Sequence, residues 1–179
     1  WTGYAGVTTS LYKLIKIITA FTIGHSLTLI TGALQWVKVA SQPVEILIAI
    51  SILVASVHAV YPLFAGREIY IAVFFGLIHG LAFASVLFNL SLPTGKLALS
   101  ILGFNLGIEL MQLIIIALVI PWLLLLSKTP VYKIFRQFGA AMAAVAAMAW
   151  VAERYSGNTN PVTEFIVKNN AAAPWALIL

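Results

Sequence analysis

The chain has 179 residues, of which 62% are hydrophobic and only 8% charged, with a mean hydropathy of +1.05 and a formal net charge of +5. A soluble globular domain carries roughly 25% charged residues, so this surface is not built mainly for water. With no Cys there are no disulfides, thiolate metal sites or cysteine nucleophile, and the basic residues are scattered at helix ends as loop charges of a membrane protein, which excludes nucleic acid as a partner.

Crossing the hydrocarbon core takes about 20 mostly apolar residues. The first such run covers residues 14–34, opens among Lys13 and Lys16, and contains His25. The second covers residues 44–64, with Pro43 placed for a first helical turn. Gly66, Arg67 and Glu68 make a polar turn before the third run, residues 69–90, and residues 91–95 read as a loop around Pro93. The fourth, residues 97–126, is longer than a perpendicular crossing needs; tilt absorbs the excess, or Pro121 kinks or ends the helix. The fifth, residues 135–151, is rich in Ala and Met, a composition suited to helix packing more than to lipid contact.

The expected fold is therefore all-α: a polytopic transmembrane helix bundle of about five spans over residues 1–152, then a polar, interfacial tail over residues 153–179. Residues 171–179 turn apolar again but are too short to span, so they lie at the interface or dock on a partner. The chain opens on Trp1 and not on Met, and one or more helices are expected to precede it; no signal peptide is visible. Six Lys and Arg fall on the side of the first residues and four on the other, which favours a cytoplasmic start to the first span. No internal repeat of the transporter kind is evident.

An ionisable side chain at mid-span costs about 2.5–3.5 kcal/mol on insertion scales, so it persists where it is buried in the bundle, paired or ligating. His25, His58, His79 and Glu109 all lie inside predicted spans. In the first span Thr22, His25 and Ser26 share a face by i+3 and i+4 spacing, with Thr28 nearby and Gly24 allowing a close neighbour. In the third, Gly76, Gly80 and Ala84 form a small-residue stripe beside His79. In the fourth, Asn105, Glu109 and Gln112 make one polar stripe, and Gly103 and Gly107 repeat the packing device. In the second, Ser51 and His58 share a face while Glu45 lies near the helix start, where the helix dipole alone accounts for an acid. For each cluster the bland alternative is local hydrogen bonding or helix packing. Imidazole, carboxylate and amide oxygen together suit borderline divalent ions such as nickel, cobalt or zinc, and the lack of thiolates argues against copper(I). No His-Glu-x-x-His and no phosphate loop is present.

These runs resemble the HupE/UreJ family of small bacterial membrane proteins, proposed nickel or cobalt permeases. The matching stretches are Phe21-Thr-Ile-Gly-His-Ser-Leu-Thr-Leu29, the residues from Glu45 to Ser51, Ser56-Val-His-Ala59 with Pro62 and the Gly66-Arg-Glu68 turn, Phe75-Gly-Leu-Ile-His-Gly-Leu-Ala-Phe-Ala84, and Phe104-Asn-Leu-Gly-Ile-Glu109 with Gln112. The family's signature also includes an earlier helix with His followed six residues later by Asp-His, and this chain contains no Asp. The resemblance implies a multi-pass protein of the bacterial inner membrane, a transporter and not an enzyme, with the metal ion as substrate and no organic cofactor. It implies His25, His79 and Glu109 as ligands or relay residues, with Asn105 and His58 assisting and Thr22, Ser26, Glu45, Ser51 and Gln112 in support. Partners beyond lipid and metal would be further copies or a larger membrane complex. Two other readings stand beside the permease: a haem b electron-transfer subunit using two histidines as axial ligands, and an accessory or assembly subunit whose polar stripes only join helices. A serine protease built on Ser26 or Ser85 lacks the Gly-x-Ser-Gly context and a nameable oxyanion donor.

Overall fold

The computed structural model describes residues 7–89 and 93–171. They form α1 (Val7–Ala33), α2 (Ser41–Val60), α3 (Glu68–Asn89), α4 (Thr94–Leu126), α5 (Val131–Ser156) and α6 (Pro161–Ala171), with no strand among the described residues. Four of these, α1, α2, α4 and α5, are long and apolar enough to cross a membrane. In α3 the apolar run Glu68–Ala84 continues as helix to Asn89. A polytopic all-α bundle is thus what the composition demanded, because helices satisfy their own backbone groups where no water can.

The helix ends have local causes. At the end of α1, Gln35 takes a left-handed φ of 62°. The Gln35 N–H donates to the Gly32 carbonyl (3.0 Å) and the Trp36 N–H to the Thr31 carbonyl (2.9 Å), the paired bonds of a Schellman motif with glutamine in glycine's usual place. The second helix stops at Val60, four residues before the expected limit, because Tyr61 precedes Pro62 and is held extended (φ −117°, ψ 112°). At the start of α4, Thr94 and Gly95 belong to the helix and not to the loop expected there, with Pro93 before the first turn; residues 90–92 lie outside the description, as do residues 172–179 of the apolar C-terminal run. Pro121 does not end α4, which continues to Leu126. The fifth helix starts four residues earlier than expected and runs on to Ser156, where Gly157 closes it in a left-handed conformation (φ 72°). Asn160 then caps α6, its Oδ1 accepting the Val162 and Thr163 N–H groups at 3.1 Å, while its Nδ2 donates to the Ala149 carbonyl at 2.9 Å and ties α6 back to α5.

Packing centres on α1 and α3, which run parallel in near backbone contact. A Cβ at Gly24 would run into the Val73 carbonyl, one at Gly76 into the Phe21 carbonyl, and one at Gly80 into the His25 carbonyl. Gly76 and Gly80 thus face the α1 backbone, and Ala84 of the same stripe is seated against Gly32. The Thr28 hydroxyl donates across this interface to the Leu77 carbonyl at 2.7 Å. On one side α4 joins the pair through Leu29, Ala33, Ala84 and Ile101. On the other, α2 packs through Val44, Ile48 and Ile78, and Trp150 of α5 closes that cluster. The fifth helix buries Ala140 and Ala147, but Met142 and Met148 are exposed, so only one of its faces has the close packing its composition suggested. Gly103 and Gly107 are a correction: both are exposed with nothing near them, so they pack no helix among the described residues.

Candidate functional site

Among the described residues the most buried polar side chain is His25, at 1% exposure, in the middle of α1. Its Nδ1 lies 3.1 Å from Asn105 Oδ1 on α4. The amide's orientation follows from its other end, where Asn105 Nδ2 donates to the Ile101 carbonyl at 3.0 Å. Oδ1 is therefore an acceptor, the proton of neutral His25 sits on Nδ1, and the lone pair is on Nε2. That Nε2 is buried and has no hydrogen-bond partner among the described residues. An anchored imidazole with a free lone pair is the tautomer a metal ligand requires. Asn105 is not free to ligate through the same oxygen lobe; it orients His25 instead.

His79 is anchored in the same manner from a different helix. Ser51 on α2 donates its hydroxyl proton to the Ile48 carbonyl (2.7 Å), so its oxygen accepts from His79 Nε2 at 3.1 Å. The proton of neutral His79 is thus on Nε2 and its lone pair on Nδ1. Ser51 was grouped with His58 by spacing; its partner is His79. His58 lies seven residues on, roughly 10 Å along the axis at 1.5 Å per residue. Its Nδ1 accepts the Phe64 N–H at 3.2 Å and its ring stacks on Phe64, so His58 latches the α2–α3 turn.

Glu109 occupies a third place. It faces a groove of about 410 Å³ between α1 and α4, with Thr19, Thr22 and Ser26 opposite and Ile23, Leu27 and Ile30 as apolar wall. Thr22 Oγ1 and Gln112 Oε1 are buried without a partner among the described residues. The polar stripe of α4 is therefore divided: Asn105 serves His25, and Glu109 serves the groove. Among the described residues no three His or Glu side chains gather closely enough to hold one ion. The residues the resemblance implies, His25, His79, Asn105 and Glu109, are thus found as two anchored imidazoles and a carboxyl-lined groove and not around one ion.

Glu45 stands apart, paired with Arg154 at 2.5 Å where the start of α2 meets the end of α5. Gln42 donates to the Arg154 carbonyl at 2.6 Å, and Glu153 joins both in lining a cavity of about 440 Å³. This pair closes an end of the bundle and takes Glu45 away from the histidines.

Sequence reasoning missed the aromatic surround. Phe21, Phe83 and Phe104 all stand about His25, with ring centroids 6.1, 6.0 and 6.0 Å away. Phe21 lies one turn before His25, so i, i+4 spacing flags that contact; the other two come from α3 and α4 and have no sequence signal.

One protein-family model, described as HupE / UreJ protein, matches residues 6–154. No curated protein and no solved structure matches the chain.

Proposed function

The chain belongs to the HupE/UreJ family, and from that premise we propose that it is a multi-pass inner-membrane permease for a divalent transition-metal ion, nickel or cobalt. The ion is the substrate and no reaction is catalysed. The observation that carries this reading is His25 Nε2: a buried nitrogen without a partner among the described residues, its lone pair set by the Asn105 bond on the other side of the ring. Leaving such a group unsatisfied costs about 1–3 kcal/mol, a cost that an ion arriving at that nitrogen removes. His79 Nδ1 offers a second imidazole lone pair. Glu109, Thr22 and Ser26 supply oxygen ligands along the neighbouring groove, where a partly hydrated ion keeps some of its water. Ligation by one imidazole at a time, with oxygen donors, is weak enough for release, as transport requires.

Calorimetric titration of the purified chain with cobalt(II) tests this. His25→Ala abolishes the high-affinity phase, and Asn105→Ala weakens it about 10–100-fold, the usual effect of losing the group that orients a ligating histidine. Unchanged binding in both variants would falsify the assignment.

A further inference from the structure

Among the described aromatic rings, Phe21 is the one that touches both imidazoles. Its ring stacks on His25 at 6.1 Å between centroids with the planes 20° apart, and meets His79 at 5.3 Å in a T-shaped contact at 67°. Phe83 and Phe104 contact His25 and each other. Each imidazole is anchored from a different helix, His25 by Asn105 of α4 and His79 by Ser51 of α2. Rotating either ring away from its place gives up that bond. What lies against both is a hydrocarbon ring.

We infer that Phe21 is the gate between two imidazole stations, a movable aromatic divider that an ion passing between His79 and His25 must displace; this rests on the permease reading. A phenyl ring offers a cation its quadrupole, but no lone pair to replace a lost ligand. An ion at either nitrogen therefore meets a barrier on the side of Phe21, as at hydrophobic constrictions in channels. Phe21 is only partly buried, whereas His25 is fully so; the divider is the less confined of the two. The rate of passage is then set by Phe21 and the affinity by the imidazoles.

The test uses the full chain in proteoliposomes, with cobalt(II) outside and a chelating fluorophore inside, and cobalt affinity measured by calorimetry on the same preparations. Phe21→Ala is expected to raise the initial uptake rate at least about fivefold and Phe21→Trp to lower it about tenfold, changes of roughly 1–1.4 kcal/mol in barrier. Affinity stays within about threefold in both, since the donor nitrogens and the Asn105 and Ser51 bonds that orient them are kept. Phe74→Ala, which removes an exposed α3 ring whose neighbour is Phe75 and not either imidazole, leaves the rate within about twofold. Phe21→Leu, a milder packing change, moves the rate in the same direction as alanine and covers the case in which the alanine variant folds poorly. Uptake unchanged in the Ala and Leu variants, or uptake that falls in proportion to lost binding, overturns the gate and makes Phe21 a packing residue. Absence of cobalt uptake by the unsubstituted chain overturns the permease reading, and the gate with it.

Discussion

Alanine at Gly76 inserts a single methyl group where α1 and α3 touch backbone to backbone. The new Cβ would run into the Phe21 carbonyl and lie 2.9 Å from the His25 amide nitrogen and 3.0 Å from the Phe21 carbonyl carbon. None of these atoms can rotate away, so the helices must part by roughly an ångström, and overpacking of this kind costs about 1–3 kcal/mol. Rigid backbone on both sides places the cost in the upper half of that range. Gly107→Ala is the matched control: nothing lies within 4 Å of its added methyl, and replacing glycine in a helix stabilises by roughly 0.5–1 kcal/mol. The two substitutions, chemically identical, should therefore differ by about 2–4 kcal/mol, which at 2–4 °C per kcal/mol for a chain of this size separates their melting temperatures by roughly 5–15 °C. Thermal unfolding in detergent, followed by helical circular dichroism, reads the difference. The argument is refuted if the two variants melt within about 2 °C of each other, since backbone contact would then not be what holds α1 to α3.

Thr28→Val removes the interhelical bond to the Leu77 carbonyl while keeping the side chain's shape; a loss of about 0.6–1.7 kcal/mol is expected, read in the same melts. Gln35→Gly relieves the left-handed residue that closes α1 and should stabilise by about 1 kcal/mol; no rise in melting temperature would mean that the glutamine side chain offsets the strain. Glu68, the first residue of α3 and the last of the polar Gly66-Arg67-Glu68 turn, has its carboxyl held below the usual carboxylate range by its own N–H and by that of Gly66, with His58 and Lys13 adding to the effect against partial burial. A depressed folded-state value means the stabilisation is present above the ordinary Glu value of about 4.3 and is lost as pH falls through the lower folded value. Melting curves of the unsubstituted chain and Glu68→Gln should accordingly separate near neutral pH and converge below about pH 4; parallel curves throughout would show that this carboxylate does not tie the turn.

Hydropathy and punctuation carried most of the architecture. Helix order and the membrane-spanning character were legible because long apolar runs between Pro and Gly have one solution in lipid; the small-residue stripe of α3 could be read, but not that α1 stands opposite it. Where boundaries moved, a local rule decided: Pro62 shortened α2 through Tyr61, and the capping of α5 by Gly157 lengthened it beyond the last strongly apolar residue. The candidate site was legible as a set of residues and illegible as a set of pairs. Spacing grouped Asn105 with Glu109 and Ser51 with His58, yet the bonds run from Asn105 to His25 and from Ser51 to His79.

The amino-acid sequence alone determined that this chain is a helical membrane bundle with costly polar groups at mid-span, because hydrophobic burial and backbone satisfaction act residue by residue along the chain. Tertiary structure alone decided what those groups face. Gly76 and Gly107 read alike in sequence, and only the first meets a neighbouring backbone. Helical periodicity assigns a side chain to a face; which helix stands opposite, and at what height, depends on contacts between segments distant in sequence. That is why Asn105 could set the lone pair of His25, and Phe21 could border both imidazoles, without either role being visible from spacing.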